Sequence, residues 1–240
     1  TLLEHGARPD ARDGRGRTPL FRAARAGRTK TARALVAAGA GPGLADEDGT
    51  TPLHLAAAGA GPETVELLLE HGADPSARRG TDGDTPLHRA ALRGRVRVAR
   101  LLLEHDADVD AKNARGWTPL RIAMQMRHTD LVRTLLEHGA DVNRKGPGGT
   151  PLQLAVGRGD LGIAQCLIRN GADLGVRDDA GRSVLHHAAR AGDTAMVRLL
   201  LAGGADPHVR DEAGRSPAEI AREHGHDDVA DLLEKAALRR

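Results

Sequence analysis

The tripeptide Thr-Pro-Leu begins at Thr18, Thr51, Thr85, Thr118 and Thr150, and degenerate copies follow at Ser183-Val184-Leu185 and Ser216-Pro217-Ala218. The intervals are 33, 34, 33, 32, 33 and 33 residues. So even a period means that the chain is a stack of similar supersecondary units. A unit of this size cannot bury an apolar face alone and must bury it against a copy of itself. Composition agrees: only 1% of the 240 residues are aromatic, Trp117 and Phe21 being the whole set. A single thick core usually leans on large rings; here Leu, Ala and Val must fill many thin layers.

Each unit has the same local grammar. Thr is a good N-cap, and Pro at the first helical position loses nothing by lacking an N–H. Leu at the third position and Ala at the sixth and seventh, as in Leu20, Ala23 and Ala24, place one apolar stripe on a short helix. Gly27, Gly94, Gly159, Gly192 and Gly225 stop that helix. A second helix follows, apolar at Val65, Leu68 and Leu69 or at Val197, Leu200 and Leu201, and ends at Gly39, Gly72, Gly139, Gly171 or Gly204. An extended linker then carries a turn glycine (Gly16, Gly49, Gly116, Gly149, Gly181, Gly214) before the next anchor. Four departures stand out. Asp106 replaces a second-helix stop and Arg127 a first-helix stop; the turn at 80–84 gains a residue and the turn at 145–149 loses one. Such irregularities argue against an idealised consensus design, and they are places where a binding surface can be tailored.

Thr-Pro-Leu-His-x-Ala-Ala at 51–57, followed by Leu-Leu-Leu-Glu-His-Gly-Ala-Asp-Pro at 67–75, resembles the ankyrin repeat, whose period is also 33. The resemblance runs from a half-repeat at Leu2–Ala7 to the last copy near Leu233. It implies an all-α ankyrin-repeat solenoid, each repeat a helix–turn–helix with a projecting β-turn or hairpin. The expected organisation is a single array over 1–240, with a partial N-terminal repeat at 1–13, six internal repeats over 14–215 and a C-terminal capping repeat at 216–240. Seven units at roughly 8–10 Å per packed helix would make a curved rod about 60–70 Å long. The last repeat carries Ala218 and Glu219 where earlier copies have Leu and often His, and adds Glu223, Asp227, Asp228, Asp231 and Glu234. A polar outer face of this kind is what a terminal repeat needs. The N-terminal half-repeat has no such face and is expected to fray or to continue into further sequence.

Nothing in the pattern points to catalysis. The resemblance implies that His54, His88 and His186, at the fourth position of the repeat, hydrogen-bond within and between repeats. His5, His71, His105 and His138 recur before the second glycine, and a catalytic group rarely recurs once per repeat. His186 and His187 face different directions on a helix. The run His224-Gly225-His226-Asp227-Asp228 lacks a second ligand pair at zinc spacing. Cys166, the one cysteine, excludes a disulfide framework and reads as a buried or half-buried core residue. Gly59-Ala60-Gly61 and Gly146-Pro147-Gly148-Gly149 lack the Lys-Ser/Thr of a phosphate loop. The expectation is no enzyme, no cofactor and no metal. No apolar run approaches the ~20 residues of a membrane span, and no signal-like segment opens the chain, so a cytoplasmic or otherwise intracellular place is expected. The chain begins in mid-repeat without Met, as a piece of a longer protein would.

The resemblance further implies that partners meet the turn tips and the inner face of the first helices. The tip residues before each anchor are Arg17, Thr50, Asp84, Trp117, Gly149, Arg182 and Arg215. Trp117 is the only Trp, and Trp and Arg dominate binding hot spots. The candidate partner-binding residues are therefore Leu92, Arg93, Arg115, Trp117, Arg121, Gln125 and Met126, with Arg158 one repeat further on. Arg12, Arg15, Arg17, Arg78, Arg79, Arg177, Arg182, Arg210 and Arg215 fall on or near tips and inner faces, against an acidic tip at Asp46-Glu47-Asp48. Such a basic stripe favours a protein partner with an acidic surface. The function expected is a non-catalytic, monomeric protein–protein interaction module that binds through its concave face and turn tips and engages no membrane. Two other readings are a regulatory ankyrin segment of a larger enzyme or channel, and nucleic-acid binding through the Arg-rich face. The second is disfavoured, because scarce aromatics leave no stacking platforms and a net charge of +2 is far from that of a basic nucleic-acid domain.

Overall fold

Each anchor Thr or Ser precedes a helix and takes extended backbone at its N-cap. The Thr18 hydroxyl accepts from the Phe21 N–H, and Thr118 from Arg121 N–H. At Thr51, Thr85, Thr150, Ser183 and Ser216 the fourth-position side chain reaches back to the cap as well, closing a capping box. The computed structural model describes residues 5–238. Leu2, Leu3 and Glu4 of the half-repeat, and with them the expected fraying, lie outside the described residues.

The chain forms two compact units, residues 1–140 and 141–240. In the first, helix pairs α1 (Pro19–Arg25) and α2 (Thr29–Ala37), α3 (Pro52–Gly59) and α4 (Pro62–Glu70), α5 (Pro86–Leu92) and α6 (Val96–Glu104), and α7 (Pro119–Gln125) and α8 (Thr129–Glu137) follow one another. First helices stack α1 on α3 on α5 on α7, and second helices α2 on α4 on α6 on α8. The second unit holds α9 (Pro151–Gly157), α10 (Leu161–Arg169), α11 (Val184–Arg190), α12 (Thr194–Ala202), α13 (Pro217–Glu223) and α14 (Asp227–Ala237). Here α9, α11 and α13 form one row and α10, α12 and α14 the other.

The buried stripe is the one the spacing predicts. Leu20, Leu53, Leu87 and Leu120 of the first unit, and Leu152 and Leu185 of the second, are buried, as are the sixth-position alanines Ala23, Ala56, Ala90, Ala123, Ala155 and Ala188. Each buried Leu contributes about 1.5–3 kcal/mol by leaving water. Small Ala lets one first helix come against the next, which is why seven-residue helices, far too short to persist alone, hold their shape here. The expected glycine stops all take left-handed backbone, and Asp106 and Arg127 adopt the same conformation at φ 62° and 59°. Gly83 and Gly148 also do so, two residues before their anchors, a place the sequence reading had not assigned to them.

Candidate functional site

The turn tips are built on a side chain that recurs five residues before the anchor. Asp13, Asp46, Asn113, Asp178 and Asp211 each use Oδ1 to accept from the N–H groups two and four residues on. Sequence reasoning missed this role, although the recurrence is visible once the anchors are aligned. Within the first unit successive tips are joined by Glu47 N–H to Arg15 O (3.2 Å), Gly80 N–H to Asp48 O (3.0 Å) and Ala114 N–H to Asp82 O (2.8 Å). In the second unit Glu212 N–H bonds Ala180 O at 3.1 Å.

Much of the expected basic stripe is engaged in holding these tips. Arg17, Arg182 and Arg215 pair with Asp13, Asp178 and Asp211 at 2.9 Å. Two arginines hold the Asp13 carboxyl far below the ordinary carboxylate range: hydrogen bonds from Arg17 come first and from Arg22 second. Arg12 donates to Ala45 O (3.0 Å), Arg177 to Arg210 O (2.7 Å), and Arg78 to Lys112 O. These guanidiniums keep their charge, but their donors serve the array.

The recurrent histidines are structural. His54, His88 and His186 accept at Nδ1 from the N–H of Thr51, Thr85 and Ser183, and donate from Nε2 to Asp84 O, Trp117 O and Arg215 O at 2.9–3.0 Å. Each therefore closes its own helix cap and ties it to the next tip. Burial pushes all three imidazoles below their ordinary value. His71, His105 and His138 donate to the carbonyl four residues earlier. His187 turns away from His186 and reaches Asp178 at 2.9 Å. Cys166 is half-buried on α10.

The candidate residues around the fourth repeat sit on α5, α7 and the tip between α6 and α7. Leu92 ends α5 half-buried, and Arg93 caps it exposed. Gln125 ends α7 half-buried, and Met126 caps it with 41% of its surface exposed. At this tip Asn113 and Trp117 stand where three other tips hold the ion pairs Asp13–Arg17, Asp178–Arg182 and Asp211–Arg215. Arg121 stands where three other repeats carry His54, His88 and His186. The Trp117 ring lies half-buried, with the Arg121 guanidinium 5.1 Å and the Arg115 guanidinium 5.7 Å from its centre. Sequence reasoning placed this ring at a solvent-facing tip; the two cations partly cover it, because a π face attracts a guanidinium. The result is one aromatic ring in a basic setting beside an exposed Met. Arg158 caps α9 and is exposed in the second unit.

Among the described residues no group of three or more His, Cys, Asp or Glu is arranged to hold a metal ion, and no helix is long and apolar enough to cross a membrane. The family described as ankyrin repeats (3 copies) matches residues 1–79, 76–146 and 150–238. No curated protein matches the sequence. Among solved structures, the chain is similar to the ankyrin repeat domain of Bcl-3, described as a unique member of the IkappaB protein family. The two share 31% identity at a TM-score of 0.80, over 90% of this chain and 99% of the other.

Proposed function

Because the chain belongs to the ankyrin-repeat family, we propose that it works without catalysis as a protein–protein interaction module, taking its partner on the turn tips and first-helix ends. In the first unit the contact centres on Trp117, with Leu92, Arg93, Arg115, Arg121, Gln125 and Met126 around it. The observation that carries this reading is the exchange at one tip. Where three of the other tips hold an Asp–Arg ion pair, this one holds the only Trp, flanked by Arg115 and Arg121, with Met126 exposed at the end of α7. An ion pair there would serve the array. A ring and two cations add nothing the tip needs, since the His88 bond goes to the backbone carbonyl of residue 117. Half-buried aromatics ringed by Arg are the anchors that dominate interfaces, and the cations favour a partner with an acidic surface.

The test is a pull-down with the wild-type chain and Trp117→Ala side by side, followed by affinity measurement on the captured partner. Affinity is expected to fall by roughly 30-fold, the size of a hot-spot truncation of about 2 kcal/mol, while the thermal melt stays cooperative. Unchanged affinity of the folded variant sinks this placement of the contact. Capture of nucleic acid that competes the protein partner away would instead favour the Arg-rich face as a nucleic-acid surface.

A further inference from the structure

The tip between α4 and α5, the one that gains a residue, is built unlike its siblings. Its sequence is Arg78-Arg79-Gly80-Thr81-Asp82-Gly83-Asp84. Arg79 closes the turn by donating its N–H to Asp84 O (2.9 Å), the place that Asp13, Asp46, Asn113, Asp178 and Asp211 take in five other tips. An arginine has no side-chain oxygen to brace the apex as those residues do. Thr81, at the apex, makes no backbone hydrogen bond among the described residues and is exposed. Among the described residues the other exposed hydroxyl belongs to Thr31, which lies inside α2. Thr50, the hydroxyl of the preceding tip, is buried.

The Thr81 hydroxyl is held by a guanidinium. Arg79 aims Nε (3.2 Å) and Nη2 (2.8 Å) at Thr81 Oγ1 and pairs with Asp82 at 3.1 Å. Two donors of one fork on a neutral hydroxyl are underused; the same fork is suited to an oxyanion. Arg78 is exposed and donates to the neutral carbonyl of Lys112, so its charge remains.

We propose that Thr81 is a phosphorylation site for a protein kinase whose substrate cleft is acidic, and that Arg79 receives the phosphate. Thr81 Oγ attacks the γ-phosphorus of a nucleoside triphosphate. A P–O bond forms, the bond from that phosphorus to the β–γ bridging oxygen breaks, the nucleoside diphosphate leaves, and the hydroxyl proton passes to the base of the kinase. Arg78 and Arg79 meet the acidic cleft, and Gly80 and Gly83 let the unbraced apex extend into it. The phosphate carries a charge of about −1.5 to −2 and draws Arg79 away from Asp82. This tip is bonded to the next one, Ala114 N–H to Asp82 O at 2.8 Å and Asn113 Nδ2 to Asp84 Oδ1 at 2.9 Å. Phosphate here therefore sets negative charge beside the Trp117 tip and works against an acidic partner. That consequence rests on the reading of the chain as an interaction module; the site does not, and its test involves no partner.

In the experiment the full chain is incubated with magnesium ATP and a serine/threonine kinase that selects arginine two and three residues before its target. The product is mapped by tandem mass spectrometry. One phosphoryl group is expected on Thr81, with none on Thr31 and none in Thr81→Ala. That variant keeps every backbone bond of the turn and so folds, as a thermal melt verifies. No transfer to the wild type, or transfer to Thr31 in preference to Thr81, overturns the proposal. The Arg79 Nε–H resonance, assigned by its loss in Arg79→Lys, reads where the phosphate goes. It is expected to move downfield on phosphorylation and to exchange with solvent at least about threefold more slowly. An unmoved signal in the fully phosphorylated chain overturns the assignment of Arg79 as receiver. Loss of partner in Trp117→Ala without transfer to Thr81 removes the site and leaves the module standing; transfer to Thr81 with wild-type affinity in Trp117→Ala removes the Trp117 contact alone.

Discussion

His54, His88 and His186 can make their bonds in only one form. Nδ1 must be bare to accept the N–H of the cap, and Nε2 must carry the proton that the next tip's carbonyl accepts. A second proton on Nδ1 would point at that N–H and open the capping box. Their folded values lie below the ordinary 6.5, with burial the leading cause. As pH falls below 6.5 the unfolded chain therefore takes up protons first. The stabilisation is complete above that value and is lost as pH falls through the folded values. Urea midpoints are expected to drop as pH is lowered from 6.5, and the triple variant His54→Gln, His88→Gln, His186→Gln should show a flatter profile. Gln is the apt replacement because Gln153 already closes the same box on Thr150 N–H at 2.9 Å. Equal slopes in the two proteins would refute the tautomer argument. Asp13 and Asp178, whose values are lowered, respond in a separate and more acid window. The recurrence of these histidines was legible in the sequence. The tip aspartates recur just as regularly, yet their work shows only in bonds that turn back on their own backbone.

At the level of the helix, the left-handed stop decides where the chain reverses, and sequence located most of these stops because glycine marks them. Arg127 is the exception with a measurable consequence. It holds φ 59° where five sibling repeats place glycine, a conformation that costs an L residue roughly 1–2 kcal/mol. Arg127→Gly is expected to stabilise the chain by about 1 kcal/mol after the added freedom of the unfolded glycine is discounted. Urea denaturation measures this, and a variant no more stable than the wild type would show that the Arg127 side chain offsets the strain. What the sequence did not reveal is how each stop is roofed. The His128 ring lies so close to Gly94 that a Cβ there would meet it at 2.8 Å, and the His226 ring does the same to Gly192 at 2.6 Å. Arg95 reaches back to Ala56 O and Ala60 O at the end of α3. Such contacts join residues more than 30 positions apart, beyond any window in which local periodicity is read.

For the whole molecule the decisive property is that no repeat buries its face alone. In the second unit α13 packs on α11 and α14 on α12, and charges on and beside them pair with one another, Arg222 with Glu234 and Arg215 with Glu223. Glu219 closes the capping box on Ser216 N–H at 2.6 Å, the place that His54, His88 and His186 fill in three other repeats. Deleting residues 216–240 exposes the apolar sides of α11 and α12 and is expected to cause self-association. Light scattering after gel filtration tests this; a stable monomer would show that the last repeat is dispensable. The architecture and the stripe of buried Leu and Ala follow from the sequence alone, because they depend on periodicity and on propensity. The surface was decided by tertiary structure. Whether an arginine is spent on a neighbouring carbonyl is settled by residues a full repeat away, as for Arg12 on Ala45 O, Arg78 on Lys112 O and Arg177 on Arg210 O, and whether Trp117 is bare or covered is settled by where the Arg115 and Arg121 side chains fold; the linear pattern encodes neither.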